Sequence, residues 1–348
     1  MSDRIYPIAK KILFKLGAEA AHKLTLTGMR NAHRLRLLSR MFPIEKELHK
    51  PVKVMGLTFP NAVGLAAGMD KSGGTVDAFG AIGFGHIEAG TVTPKPQAGN
   101  PKPRLFRLVE EDALINRMGF NNPGLEDFVR NLKKRRTFSG IVGASIGKNA
   151  ATPNEDAIDD YVKAFRGVFD VSDYIAVNIS SPNTKGLRDL QSIESSESLV
   201  LRLLEERQQL LAETEVESRP FAVKFSPDLT EDHLCGLAEM CNRIGVDAVI
   251  ATNTTLARTG VESNPLHHEK GGLSGLPLAG RALDQLKLWR RELDSKIPVI
   301  SVGGIMSGDD AKERIDAGAA LVQVYTGLVY RGPALVREIL EANTKRQT

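Results

Sequence analysis

The sequence predicts an α/β chain, a (β/α)8 TIM barrel preceded by a helical N-terminal extension, on three observations. From residue 60 onward, eight short β-branched or apolar runs alternate with longer helical patterns, as parallel βα units do. Eight is the strand number that closes such a barrel. Polar residues and glycines gather at the C-terminal end of nearly every run, and a ring of such ends implies a ring of strands. A doubly wound open sheet, the competing fold, concentrates its chemistry at one switch point.

Taken in order, residues 1–42 come first and stand apart. Ile5, Ile8, Ile12, Leu13 and Leu16 fall at helical spacing, followed by a second apolar set with Leu24, Leu35, Leu38, Met41 and Phe42, which predicts two short amphipathic helices joined near Gly17. The eight runs are Ala62–Gly68, Gly83–Thr91, Ile141–Gly147, Tyr174–Ser181, Phe221–Pro227, Ala248–Thr254, Pro298–Ile305 and Leu321–Gly327. Each is short and apolar and stops at Gly, Ser, Thr, Pro or a β-branched residue beside glycine, where a strand gives way to a loop. The connections must be right-handed crossovers. Two exceed the usual few residues, Val92–Asn122 and Thr255–Gly275, and long connections in a compact domain serve as lids or insertions. The first, with its prolines and the polar segment 115–122, reads as an active-site wall.

With 42% apolar and 25% charged residues the chain is globular and not disordered. Cys235 and Cys241 are the only cysteines, six apart on one predicted helix, and with no histidine cluster they complete no metal site, which fits a reducing compartment. No apolar run reaches the length of a membrane span, and the first residues lack the pattern of an export signal, so a non-secreted protein is expected. Charge is uneven: residues 1–50 hold eleven Lys and Arg against four acids, while the whole chain carries +4. A basic end on a mildly acidic body points to an anionic surface, either membrane headgroups or nucleic acid. The extension is thus either a helical cap packed on the barrel or an apolar face shown to lipid with a basic rim.

Several side chains are placed for chemistry. Gly303-Gly304 at the end of the seventh run and Gly327 at the end of the eighth lie where barrels hold a phosphate on backbone N–H groups, so a phosphorylated ligand or cofactor is expected. Lys224 lies inside a buried run, where a lysine is costly unless it faces an anion. Lys71, after the first run, points to the same mouth, and two ammonium groups suit a ring that becomes anionic on reduction. Asn116, Asn178, Asn183 and Asn253 all fall at strand ends or on the wall. Each alone reads as a turn former, but four converging amides suit a planar ring with alternating C=O and N–H groups, such as a uracil-like ring.

These residues, with the stretches 64–71, 90–97, 103–107, 115–122, 178–184, 251–255 and 271–275, resemble the dihydroorotate dehydrogenase family, class 2, the quinone-linked and membrane-associated branch. The resemblance runs over essentially the whole chain. It implies oxidation of dihydroorotate to orotate in pyrimidine biosynthesis, FMN taking a hydride from C6 while a serine base, here Ser181, removes a proton from C5. Thr184 is a candidate relay for the serine's own proton. By resemblance the substrate residues are Lys71, Asn116, Arg117, Met118, Gly119, Phe120, Asn178, Asn183, Asn253 and Thr254. The FMN residues are Ala67, Gly68, Met69, Asp70, Lys71, Thr91, Ser145, Asn178, Lys224, Thr252, Gly275, Gly304, Tyr325 and Thr326. Ser145 departs from the family, which usually carries an asparagine there.

The resemblance further implies that residues 1–45 form a quinone-access extension with His22 and Arg104 at the tunnel, and residues 46–348 the catalytic barrel. A monomer is expected, peripheral on the anionic cytoplasmic face of the inner membrane, using ubiquinone or menaquinone, with no metal and no nucleic acid. A nicotinamide-linked FMN barrel is the alternative enzyme, but no Gly-x-Gly-x-x-Gly segment supports it. A non-catalytic docking barrel is the other alternative, and it would be colourless.

Overall fold

The computed structural model describes residues 2–135, 137–216 and 219–344, with the side chains of residues 2–5, Ile5 among them, outside that set. Eight parallel strands close into a barrel: Val63–Leu65, His86–Val92, Ile141–Ile146, Tyr174–Asn178, Phe221–Phe225, Ala248–Ala251, Val299–Val302 and Leu321–Val324, the last pairing with the first through Gln323 and Gly64. Seven of the eight predicted runs contain their strand, the second strand running one residue past the predicted Thr91 to Val92, and the open sheet is excluded by the closure.

The strands build two apolar layers because successive side chains face opposite sides of a strand. Ile87, Ala89, Val142, Ala144, Ile175, Val177, Val223, Val249 and Val322 belong to the large core that takes in the surrounding helices. The alternate positions point inward, where Ala176, Ala222, Ala248, Ile250, Ile300 and Leu321 form a second core. Large and small residues share that interior. A Cβ on Gly64 would fall 1.9 Å from His86 Nε2, and one on Gly143 would fall 2.2 Å from the Tyr174 ring. An antiparallel hairpin, Val52–Val54 with Leu57–Phe59, closes the floor and sets Phe59 edge-on to His86 at 5.3 Å.

The helices outside the barrel begin where the sequence offers caps. Ser192 accepts from the Ser195 amide before Ile193–Glu213, and Thr230 from the His233 amide before Glu231–Ile244. The second of these carries both cysteines, which are free.

The two long connections are not irregular. Ala113–Asn116 from the first pairs antiparallel both with Leu105–Leu108 of the same connection and with Gly272–Gly275 from the second, forming a three-stranded wall over the mouth. At the N-terminus, α1 (Ser2–Leu13) and α2 (Ala18–Arg34) meet at Gly17, followed by a short helix, Leu38–Met41. Among the described residues of this extension, only Ala21, Leu38 and Phe42 are buried hydrophobics, while Ile8, Ile12 and Leu35 are 64%, 62% and 69% exposed. Among the described residues no helix is long and apolar enough to cross a membrane.

Candidate active site at the barrel mouth

A cavity opens at the C-terminal ends of the strands, where a barrel of this kind builds its active site. Ser181, Lys71, Asn116, Met118, Gly119, Phe120, Asn178, Asn183, Asn253 and Thr254 line it, as do Ala67, Gly68, Thr91, Lys224, Thr252, Gly275, Gly304, Tyr325 and Thr326.

The asparagines form one frame. Asn178 Nδ2 donates to Thr91 Oγ1 at 3.0 Å, and Asn178 Oδ1 accepts from Asn253 Nδ2 at 3.2 Å. Asn253 Nδ2 also reaches Ser180 Oγ at 3.0 Å. Across the mouth, Asn183 Nδ2 donates to Asn116 Oδ1 at 3.1 Å, while the Asn183 amide N donates to Ser181 Oγ at 3.3 Å. Ser181 therefore sits between two pairs of carboxamides, buried, on the loop that leaves the fourth strand.

Lys224 does face an anion, and the barrel itself supplies one. Its Nζ lies 3.4 Å from Glu88 Oε1, while Glu88 Oε2 accepts from the Tyr174 hydroxyl at 3.1 Å and Gln323 Nε2 at 3.0 Å. Burial, and next the Glu88 charge, push the Tyr174 phenol well up. Sequence reasoning missed Glu88 and Gln323, although a carboxylate and an amide inside apolar strands were a legible signal. Lys71 Nζ donates to Gly68 O at 2.8 Å, and burial, with Arg104 nearby, brings its ammonium down to about 8.

Other expected site residues lie off this cavity. The Asp70 carboxylate accepts from the amides of Ser72, Gly74 and Thr75, tying the turn after the first strand. Met69 faces the second cavity described below. Arg117 turns away to an ion pair with Glu269 at 2.6 Å, joining the two long connections. Ser145 Oγ bonds Thr91 Oγ1 at 2.8 Å and is fully buried, so its shorter side chain contacts a lining residue and not the cavity.

The second cavity lies between α1, α2 and the barrel and is lined almost wholly by apolar side chains, to which His22 and Arg107 add polar groups. Burial first, then the Lys71 charge, bring His22 down to about 4. Arg104 is not on this lining. It grips Glu19 of α2 with Nη2 at 2.9 Å and Nε at 3.1 Å, and the carbonyls of Ala98 and Asn100 with Nη1. Tyr325 borders both cavities.

The mouth has the donors and acceptors for a polar, phosphorylated ring system. Asn183 Oδ1, Thr254 Oγ1 and Gln323 Oε1 are buried there without partners, and buried polar atoms are seldom left so. Gly303 and Gly304, with φ of +117° and +71°, carry the chain past the seventh strand in a conformation that favours glycine.

Comparison with known proteins gives this site its context. The profile described as dihydroorotate dehydrogenase matches residues 50–345. The chain belongs to the dihydroorotate dehydrogenase family. It is 51% identical over 342 residues to the dihydroorotate dehydrogenase (quinone) of Akkermansia muciniphila, covering 98% of this chain and 97% of that protein. The quinone enzyme of Chromobacterium violaceum is 50% identical over 341 residues, covering 98% of each. Ligand-free dihydroorotate dehydrogenase from Eimeria tenella superposes with a TM-score of 0.85 at 36% identity, covering 94% of both chains. Among the described residues of this dihydroorotate dehydrogenase, no group of His, Cys, Asp and Glu is arranged to hold a metal ion. Both the polar mouth and the apolar second cavity are features of one quinone-type enzyme.

Proposed function

We propose that this quinone-type dihydroorotate dehydrogenase binds FMN and dihydroorotate together in the barrel mouth, uses Ser181 as base, and meets its quinone in the cavity beneath the N-terminal helices. One observation carries the reading: Ser181 Oγ, four asparagine side chains, Lys71 and Lys224 converge on a single cavity. The family is flavin-dependent, and FMN, when bound, supplies the acceptor for the C6 hydride and passes the electrons on to the quinone.

Ala67, Gly68, Thr91, Asn178, Lys224, Thr252, Gly275, Gly304, Tyr325 and Thr326 are the residues that would hold FMN. Lys224 brings a fixed positive charge to the place where negative charge develops, and a preorganised charge is worth most where water is excluded. Asn116, Asn178, Asn183, Asn253 and Thr254 orient the substrate ring through amide and hydroxyl groups, and Lys71 offers an ammonium to its carboxylate. Met118, Gly119 and Phe120 cover the ring and exclude water. Arg117, Met69, Asp70 and Ser145 support the lining from behind.

Ser181 Oγ accepts the C5 proton as its own hydroxyl proton leaves. A serine hydroxyl is a weak base, so that second transfer needs an outlet. Thr184 Oγ1, three residues on, is buried without a partner and is suited to the relay.

Residues 1–45 act as the access extension and residues 46–348 as the catalytic barrel. Ile8, Ile12, Leu24 and Leu35 are exposed along the helices within a strongly basic segment, which suits a monomer lying peripherally on an anionic cytoplasmic membrane face. Either ubiquinone or menaquinone fits the apolar cavity, and Arg104 holds α2 against the wall above it. The test is stopped-flow reduction of Ser181→Ala by dihydroorotate. The variant should keep its flavin and lose reduction by about 100- to 10,000-fold. A trace close to wild type contradicts the base assignment.

A further inference from the structure

Six residues beyond Ser181 the chain enters a short 3-10 turn, Leu187–Gln191, seated by the buried side chains of Leu187 and Leu190. Arg188 leaves this turn towards the barrel mouth, and its guanidinium divides among three loops. Nε donates to the carbonyl of Ser180 at 3.0 Å, Nη2 to the carbonyl of Thr254 at 2.8 Å, and Nη1 to Asp228 Oδ2 at 2.8 Å. These acceptors lie on the connections that leave the fourth, sixth and fifth strands. Each N–H edge serves a different strand end, and only a planar fork spans such an arrangement.

Asp228 anchors the clasp. Its carboxylate also accepts from the Thr255 hydroxyl, from the Leu256 amide at 2.8 Å and from Arg281 Nη1 at 3.3 Å. Burial disfavours its charge, but hydrogen bonds from Thr255, Leu256 and Arg188 outweigh that and hold the carboxyl below its usual range. The Arg188 and Asp228 side chains are only 19% and 20% exposed, unlike the solvated ion pairs that contribute little.

The carbonyls that Arg188 holds belong to residues flanking the site. Ser180 precedes Ser181, and Thr254 follows Asn253, whose amide reaches Asn178 Oδ1 and Ser180 Oγ on the cavity side of the same loops. Covalent links and side-chain bonds thus form one ring, closed on the outside by Arg188.

We propose that Arg188, fixed by Asp228, is a positioning residue for proton abstraction, locking the Ser181 loop to the ends of the fifth and sixth strands so that Ser181 Oγ keeps its place against the substrate amides. The proposal rests on Ser181 being the base. Its signature is a loss in the reductive step that far exceeds any loss of ligand affinity, with little change in the quinone step, because the clasp holds Thr254 by its backbone carbonyl alone and touches neither the flavin-facing residues nor the second cavity.

The experiment compares Arg188→Met, Arg188→Lys and Asp228→Asn holoenzymes. The readouts are flavin reduction by saturating dihydroorotate, orotate affinity from the flavin difference spectrum, and reoxidation by a soluble quinone. Misplacement on the order of 1 Å costs about 100-fold, so Arg188→Met should reduce about 100-fold more slowly. Its orotate affinity should stay within about threefold and its reoxidation within about twofold. Arg188→Lys, which keeps the charge but not the fork, should recover only part of the rate. Asp228→Asn, which spares both carbonyl contacts, should lose about tenfold. It stands as the decisive variant if Arg188→Met does not fold.

Reduction within about threefold of wild type in Arg188→Met, or in Asp228→Asn if only that variant folds, overturns the clasp. Equal losses in reduction, affinity and reoxidation also overturn it, since they mark general loosening. Ser181→Ala tells the two readings apart: a fast Ser181→Ala removes the base assignment itself, whereas a slow Ser181→Ala beside a fast Arg188→Met removes only the clasp.

Discussion

Asn183 donates its side-chain amide to Asn116 Oδ1 at 3.1 Å, so the loop carrying Ser181 is joined to the antiparallel wall across the cavity mouth. The remaining Asn183 oxygen is buried without a partner, and a substrate N–H would satisfy it. Removing the amide in Asn183→Ala forfeits one substrate hydrogen bond and unties the wall. A lost buried hydrogen bond costs about 1–3 kcal/mol, so kcat/KM for dihydroorotate should fall by about 5- to 150-fold in steady-state assays with a dye acceptor.

Glu88 and Lys224 form a charge pair inside the barrel, with the lysine on the cavity side. In Glu88→Gln the positive charge acts on the site uncompensated. A unit charge several ångströms away contributes on the order of 1–2 kcal/mol at an effective dielectric of about 20, so the flavin midpoint potential should rise by about 20–40 mV. Spectroelectrochemistry reads this directly, and an unchanged or lower potential refutes the pairing's electrostatic role.

His86 predicts how stability depends on pH. Its ring is fully buried, both nitrogens lack partners, and burial brings it down to about 3 from 6.5. The unfolded chain therefore binds a proton near pH 6.5 that the folded chain refuses until about pH 3. Its contribution is complete above pH 6.5 and is lost as pH falls, at about 1.4 kcal/mol per pH unit within that window. His22, brought down to about 4, acts in the same direction. Urea unfolding between pH 4 and 7 should show a shallower slope for His86→Gln than for the wild type.

The N-terminal helices carry the membrane reading. Deleting residues 1–45 should abolish binding to anionic vesicles and sharply reduce quinone turnover, while dye-coupled oxidation of dihydroorotate persists. Vesicle co-sedimentation tests the first part, and unchanged binding contradicts it.

The strands were legible because buried parallel strands need uninterrupted apolar runs, and most runs here end at a glycine or polar residue beside the mouth. Lys224 and the four asparagines were legible for the complementary reason, since polar groups at such positions demand partners. What escaped depends on contacts distant in sequence. Arg117 is drawn out of the cavity by Glu269, 152 residues on, and Arg104 by Glu19, 85 residues back. The pairing of Asn116 with Gly272 was equally hidden, because such short segments carry no periodicity of their own. Glu88 was readable: a carboxylate between Ile87 and Ala89 in a buried run requires a cation, and Lys224 was already in hand.

On the proposed reading, electrons leave dihydroorotate in the barrel mouth and reach quinone in the second cavity. Anaerobic addition of dihydroorotate to the purified, flavin-bound protein tests it most directly, followed by quinone in one sample and fumarate in another. The visible flavin bands should bleach on adding dihydroorotate and return with quinone but not with fumarate. Bands that persist in dihydroorotate, or that return as fast with fumarate, contradict the account.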